Sequence, residues 1–103
     1  MKVLSRSDRL GYALAPKVLV NSKLRVRFMY REAPDNDSDS GWRFFSGDET
    51  DEYVNNPDNI GLYDVSTIVQ IDPDIAPYLN APAGSAFERE DPSKPFVHSA
   101  AFD

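Results

Sequence analysis

The 103-residue chain contains no cysteine and only one histidine, His98. Without thiols it has no disulfide, no thiolate metal site and no cysteine nucleophile. With one imidazole, a metal site that needs two histidines of the same chain is excluded. The five glycines are scattered and form no phosphate-binding loop, and no serine lies in a nucleophile-elbow sequence. We therefore predict a protein without catalytic residues and without a cofactor.

Long hydrophobic runs are also missing. The longest apolar stretches span a few residues, too few for a membrane-spanning helix. Arg6, Asp8 and Arg9 interrupt the N-terminal segment, so we expect no signal peptide. Together with the lack of cysteine, this favours a cytoplasmic protein. The length predicts one domain, which we place at residues 1–90. Residues 91–103 form a C-terminal tail, which could dock onto the domain through Phe96, Val97 and Phe102.

Charge is distributed unevenly along the chain. The formal net charge is −6, but residues 1–31 carry a net +7 and residues 32–103 a net −13. One interpretation is that the two halves pair with each other inside the fold. The other is that the acidic half presents a one-sided surface to a basic partner. Nucleic acid is disfavoured as a ligand of that half, because its phosphates would be repelled.

Two segments have the pattern of β-strands. Apolar and basic residues alternate along Lys23–Arg31, which predicts a strand with Leu24, Val26, Phe28 and Tyr30 toward the core. Lys17–Val20 is expected to form a hairpin with it through a turn at Asn21 and Ser22. Gly41–Ser46 is predicted as a second strong strand, paired antiparallel with the first.

The remaining elements are shorter. Asp48 or Thr50 is expected to cap a short helix. Asp64 is a candidate cap for Val65–Gln70, whose β-branched residues allow either a helix or a strand, with a short helix preferred. Asp72-Pro73-Asp74 has the composition of a helix start, with an acidic cap followed by proline. Ser85–Arg89 is a last strand candidate. The sum is an α+β fold, a small antiparallel sheet with short helices on one side and many loops.

The segment that follows the second strand combines acids with aromatic residues. Four carboxylates within five positions are expected to stay solvated and to be available to a basic protein partner. Trp42 and Phe45 face opposite sides of the predicted strand, so one of them must cover a second layer, lie beneath a loop or be exposed as a contact residue. The candidate partner-binding residues are Trp42, Phe45, Asp48, Glu49, Asp51, Glu52 and Tyr53.

Two further sets of residues give weaker signals. A row of arginines, Arg25, Arg27, Arg31 and Arg43, either pairs with acids of the chain or binds an anion. The alternating Asp35, Asp37 and Asp39 are spaced like the oxygen ligands of a calcium loop. Serine stands where such a loop needs its glycine and its bidentate acid, so a solvated acidic turn is the main interpretation and a divalent-cation site the alternative.

Three segments carry a family resemblance. They are DSGWRFFSGDE from Asp39, DPDIAPYL from Asp72 and GSAFER from Gly84. In this order they resemble a small bacterial family described as a domain of unknown function and as immunity protein thirty-three of toxin–immunity systems. The resemblance covers roughly Lys17 to Arg89. It implies a cytoplasmic α+β protein without assigned catalytic activity that neutralises a cognate toxin by direct binding, and it assigns no role to individual residues.

Two functions of different classes are consistent with the sequence. The preferred one is a non-catalytic acidic binding module whose partner is a basic toxin or effector domain, such as a nuclease. The alternative is a regulatory domain that binds a small molecule or a divalent metal at the arginine row or the aspartate loop. Lys23–Arg31 and Gly41–Ser46 would also leave a strand edge for a homodimer. No nucleic acid and no membrane is expected as a partner.

Overall fold

The computed structural model of the chain describes residues 11–99, in which one sheet is combined with short helices. The strands are β1 (Tyr12–Pro16), β2 (Phe28–Arg31), β3 (Asp39–Phe45), β4 (Ile60–Asp64), β5 (Ala86–Glu88) and β6 (Val97–His98). The helices are α1 (Lys17–Asn21), α2 (Asp51–Val54) and α3 (Val65–Ile71), with 3₁₀ segments at Pro57–Asn59 and Pro73–Tyr78. The segment of the signal-peptide prediction before Gly11, and Phe102 of the predicted tail, lie outside the described residues.

The six strands form a single sheet in the order β4-β1-β3-β2-β5-β6. The predicted α+β class is confirmed, and so is the antiparallel pairing of β2 with β3. The sheet is mixed, however, because β1 runs parallel to β3. Strand β1 was not anticipated, and a parallel pair needs a long crossover, which α1 and β2 provide. The strands expected to leave a free edge, β2 and β3, lie inside the sheet, and its edges are β4 and β6.

The predicted hairpin between Lys17–Val20 and the following strand is wrong. Lys17–Val20 lies in helix α1, which starts after Pro16 and ends before Ser22. Lys23 then adopts a positive φ of 54°, so the chain turns sharply instead of continuing in an extended hairpin. The β-branched composition of this run favours a strand, but the turn geometry prevents its pairing with β2.

Strand β2 is shorter than predicted, and its inward face is different. The N–H of Val26 donates to the Asp72 carboxylate at 2.8 Å instead of to a neighbouring strand, and the ladder begins only at Phe28. Met29 pairs with the buried Phe44 and faces the core, with no exposed surface. Phe28 and Tyr30 consequently face the opposite side of the sheet, which corrects the predicted alternation.

The two faces of the sheet have different coverings. On one face, strand residues and residues of the helices and 3₁₀ segments form a continuous buried cluster. Its fully buried members include Ala13, Leu19, Met29, Trp42, Phe44, Val65, Ile68 and Ile75. Burying side chains of this size is the main stabilising contribution in a domain this small. The other face carries Phe28, Tyr30 and Phe45, all partly exposed.

Several predicted element boundaries are confirmed. Thr50 is the N-cap of α2, and its hydroxyl accepts from the N–H of Tyr53 at 3.1 Å. Asp72 accepts from the N–H of Asp74 at 3.1 Å and is followed by proline at the first position of the 3₁₀ segment. Helix α3 and strand β5 lie where Val65–Gln70 and Ser85–Arg89 predicted them, with α3 one residue longer.

The last described residues contact the rest of the chain. Strand β6 pairs antiparallel with β5, and the ring of Phe96 is buried with its centroid 5.4 Å from that of Tyr78. Within residues 11–99, no helix is both long enough and apolar enough to cross a membrane.

Candidate functional site

The acids that follow β3 lie on a tight turn, residues 46–54, which we call the acidic turn. Gly47 has a φ of +93°, and a β-carbon there would approach the Arg27 side chain to 3.2 Å. The Glu49 carboxylate accepts hydrogen bonds from the Ser46 N–H and hydroxyl, both at 2.8 Å, and from the Gly47 N–H at 3.0 Å. Glu49 is therefore used to hold the turn, and its charge is partly compensated by these donors.

The other three acids of the acidic turn face the solvent. The Asp48 side chain is 80% exposed and lies 3.2 Å from the Arg27 guanidinium. Asp51 and Glu52 are exposed in the first turn of α2, and no ion pair joins either of them to another of the described residues. Negative charge at a helix N-terminus is favourable, so these carboxylates keep their outward position at no conformational cost.

A shallow cleft of about 280 Å³ lies beside the acidic turn. Its apolar part is formed by Val18, Leu24 and the Tyr53 ring, and its polar part by the turn itself. The Tyr53 hydroxyl contacts the Val18 N–H at 3.4 Å, which holds the ring against α1. The cleft thus combines an apolar wall with an acidic rim, an arrangement that suits the aliphatic stem and the charged end of a lysine or arginine.

Phe45 connects the acidic turn to the aromatic side of the sheet. Its ring centroid is 6.2 Å from those of both Phe28 and Tyr30, and its plane is nearly parallel to that of Tyr30. Phe45 is half-buried, whereas Trp42 has no exposed surface and its indole N–H donates to the Leu79 carbonyl at 3.2 Å. Trp42 is therefore a core residue, which corrects its assignment to the partner-binding set.

At the other end of β3, a buried ion cluster lies on the aromatic face. The Arg43 guanidinium contacts both Asp39 carboxylate oxygens at 2.9 Å, and its Nε lies 2.6 Å from Glu32. Hydrogen bonds from Arg43 hold the pKa of the Asp39 carboxyl well below its usual range, despite its burial. Burial alone would lower the pKa of Arg43, but the two acids raise it above its ordinary value. The pair with Arg43 therefore favours the ionised form of Asp39 and gives this carboxylate a structural role, not that of a general acid or base.

A β-bulge brings Asp39 and Arg43 together. Between its pairs with Tyr12 and Leu14 of β1, strand β3 contains two extra residues, and Gly41 in this stretch has a φ of +86°. A β-carbon at Gly41 would lie 2.3 Å from the Glu32 carbonyl oxygen, so only glycine fits. Bulges bend a strand locally, which lets two residues four positions apart reach each other.

The predicted cation loop does not assemble. Asp39 is buried and bound to Arg43, while Asp35 and Asp37 are exposed. Among residues 11–99, no three acidic or imidazole side chains are placed to hold a metal ion. The interpretation of this segment as a fully solvated acidic turn is also wrong at Asp39, since its carboxylate accepts from the N–H groups of Asp35 and Gly41, both at 2.9 Å.

The predicted arginine row is dispersed over both faces of the sheet. Arg25 contacts Asp72 and Asp74, Arg27 contacts Asp48, and Arg43 contacts Asp39 and Glu32. Arg31 instead donates to the carbonyls of Ser40 and Ala81 at 2.9 and 2.8 Å and lies over the Trp42 ring. Each of the four thus contacts acids or carbonyls of the chain itself, although the Nε of Arg27 is buried without a hydrogen-bond partner. Arg25 and Arg27 pair with acids of the other half of the chain, and the four do not form one anion site.

Sequence reasoning missed a second buried ion cluster. Asp72, with no exposed surface, accepts from Arg25 at 3.1 Å and from Arg89 at 2.7 Å, in addition to the N–H of Val26. Arg89 also donates to Asp74 and to the Val26 carbonyl. Asp72 was predicted only as a helix cap, because nothing local in the sequence indicates that arginines from 47 residues before it and 17 residues after it converge on it.

Comparison with known proteins identifies a family. A family model described as the Immunity protein Imm33 domain matches residues 13–100, which is most of the chain. No curated protein and no solved structure matches the chain.

Proposed function

The chain belongs to the Imm33 immunity protein family, and from this membership we propose that it neutralises a cognate toxin by binding it through the acidic turn. Membership implies a toxin partner. The choice of surface rests on one observation. Asp48 lies at the rim of an apolar cleft, and the carboxylates of Asp51 and Glu52 in the same turn face the solvent. The proposed mechanism is occlusion of the toxin without a chemical step, in the cytoplasm.

Charge supports a basic partner. Five of the seven arginines contact acids or carbonyls of the chain itself, and the formal net charge is −6. Negative charge on the acidic turn would raise the rate at which a basic protein arrives and would orient it on arrival. A toxin domain that binds nucleic acid would have such a basic surface.

The cleft would supply apolar contacts in addition to the electrostatic attraction. Val18 is an exposed apolar residue beside Leu24 and Tyr53. A basic side chain of the toxin would place its methylene groups against this wall and its cation near Asp48, in competition with Arg27. Phe45, half-buried on the other side of the turn, extends the apolar contact area. Tyrosine is one of the residue types enriched among those that contribute most of the binding free energy of an interface.

The proposal is tested by measuring association with the toxin encoded beside this protein. The triple change Asp48→Asn, Asp51→Asn and Glu52→Gln removes three negative charges from the acidic turn and leaves Glu49, which holds the turn. We expect the association rate constant at low salt to fall by about 10-fold to 100-fold, with a weaker salt dependence than in the unchanged protein.

A matched control removes the same charge elsewhere. Asp35→Asn, Asp37→Asn and Asp64→Asn neutralise three exposed acids that lie toward the Asp39 end of β3, the opposite end from the acidic turn. This variant should associate at close to the unchanged rate. Equal losses in the two variants would mean that only net charge matters, and no loss in the first would contradict the proposed surface.

A further inference from the structure

Strand β4 is an edge strand whose outer hydrogen-bonding groups are exposed. It pairs antiparallel with β1 on one side only. The Val65 N–H donates to the Gly11 carbonyl at 3.1 Å, which fixes the alternation of the ladder. Gly61 and Tyr63 therefore bond to β1. The backbone groups of the other three residues point away from the sheet, and these residues are Ile60, Leu62 and Asp64.

Two of these six backbone groups are used inside the chain. The Ile60 N–H donates to the Pro57 carbonyl at the end of a 3₁₀ segment. The carbonyl of Asp64, the N-cap residue of α3, accepts the first hydrogen bond of that helix. Among residues 11–99, four groups then remain without a partner. They are the N–H and C=O of Leu62, the N–H of Asp64 and the C=O of Ile60.

The β4 edge has few of the devices that normally prevent strand addition. Edges are usually protected by charged side chains, lysine above all, by proline, by a bulge or by a very short strand, and β4 has one of these, the exposed Asp64 at its end. The segment Ile60–Asp64 contains neither lysine nor proline, pairs with β1 in unbroken register, and carries Leu62 with 63% of its surface exposed. The opposite edge, β6, is only two residues long.

We propose that β4 pairs with β4 of a second copy of this chain, so that two sheets join into one. A two-fold axis through Leu62 places Leu62 opposite Leu62 of the second copy, and Ile60 opposite Asp64. Each Leu62 N–H then donates to the other Leu62 carbonyl, and each Asp64 N–H to the other Ile60 carbonyl. All eight unpaired groups of the two copies are matched, donor to acceptor, with none left over.

Side chains along β4 are compatible with this register. Leu62 pairs across β1 with Leu14, so the two copies would form a continuous apolar row of four leucines across the junction. Asp64 lies opposite isoleucine and not opposite another acid, which avoids a direct like-charge pair. On the other face, Gly61 has no side chain, and the Tyr63 ring of the same copy lies over it.

The dimer is tested by sedimentation equilibrium over a range of concentrations. The unchanged protein is expected to dimerise in a concentration-dependent way, and more strongly at high salt, because each copy carries a net charge of −6. Leu62→Lys places two like charges at the axis and should raise the dissociation constant at least about tenfold. Val97→Lys introduces the same charge at the β6 edge, where valine is also exposed, and should leave the dissociation constant unchanged.

Hydrogen exchange of the unchanged protein gives an independent reading that does not depend on a variant remaining folded. The amides of Leu62 and Asp64 should exchange rapidly in dilute solution and slow down as concentration rises, while those of Gly61 and Tyr63 stay protected throughout. A protein that remains monomeric at millimolar concentration would overturn the proposal. So would a dimer that Val97→Lys disrupts and Leu62→Lys does not.

Discussion

The two ends of strand β3 carry acids of the same kind in opposite environments. At its start, Asp39 is buried and bound to Arg43 through both oxygens. After its end, Asp48 is 80% exposed and has one surface contact to Arg27. In the sequence, Asp39 ends a run of alternating aspartates and Asp48 begins a run of adjacent acids. The comparison shows that acid-rich composition alone does not separate a group that holds the fold from one that is available to a partner.

The first way to sharpen this comparison is to remove Asp39. Asp39→Ala leaves the Arg43 guanidinium buried with only Glu32 as its partner. We expect the free energy of unfolding, measured by denaturant titration, to fall by about 3–5 kcal/mol, because an uncompensated buried charge is costly. For a domain of this size that is a large fraction of the total.

A double variant separates the cost of the unpaired charge from the value of the pair. In Asp39→Leu with Arg43→Met both charges are replaced by apolar groups, and most of the lost stability should return. If the double variant is as unstable as Asp39→Ala, the ion pair itself holds the bulge of β3 in place.

The second prediction concerns acid. The pKa of Asp39 is lowered in the folded chain by the hydrogen bonds from Arg43. Since the unfolded chain then binds a proton more readily than the folded one, this contribution is fully present above the unfolded pKa of about 4. It is lost progressively as pH falls below that value. Unfolding free energies measured at pH 6 and pH 3 should therefore differ less in Asp39→Asn than in the unchanged protein.

The comparable change at the other end of β3 serves as the reference for that experiment. Asp48→Asn removes one exposed carboxylate with a single surface contact to Arg27 and so controls for the loss of one negative charge. An equal flattening in both variants would mean that the acid sensitivity arises from overall charge and not from the buried pair.

The smallest effect is expected from neutralising the exposed acids. Asp48→Asn and Asp51→Asn should each change the unfolding free energy by no more than about 0.5 kcal/mol, because exposed ion pairs contribute little. Thermal unfolding of the single variants checks this. A loss above about 2 kcal/mol in either would show that the acidic turn supports the fold, and it would weaken its assignment as a binding surface.

Local patterns in the sequence predicted most elements that depend on neighbouring residues. Thr50 and Asp72 cap short helical segments as expected, and the antiparallel pairing of β2 with β3 follows from two alternating runs close in the chain. Strand β1 was missed because its partners, β3 and β4, are distant in sequence. A five-residue strand with two alanines has no strong pattern of its own.

The site was harder to predict than the fold, because its residues are also brought together by contacts between segments distant in sequence. Nothing local distinguishes Asp39 from Asp37, and only the parallel pairing with β1 and the bulge at Gly41 bring Asp39 to Arg43. Trp42 was assigned to the partner-binding set because the alternation of β3 left open which face was covered. The available signal was the spacing of two residues between positions 39, 41 and 43. Had the predicted strand started at Asp39, this spacing would have placed Asp39 and Arg43 on the same face.

The way in which Glu49 and Gly47 fix the acidic turn has a consequence for how such a protein diversifies. Glu49 and Gly47 hold the start of the turn, whereas the side chains at positions 48, 51 and 52 face the solvent. Under the proposed function, recognition would therefore change through substitutions at those three positions while the scaffold stays the same.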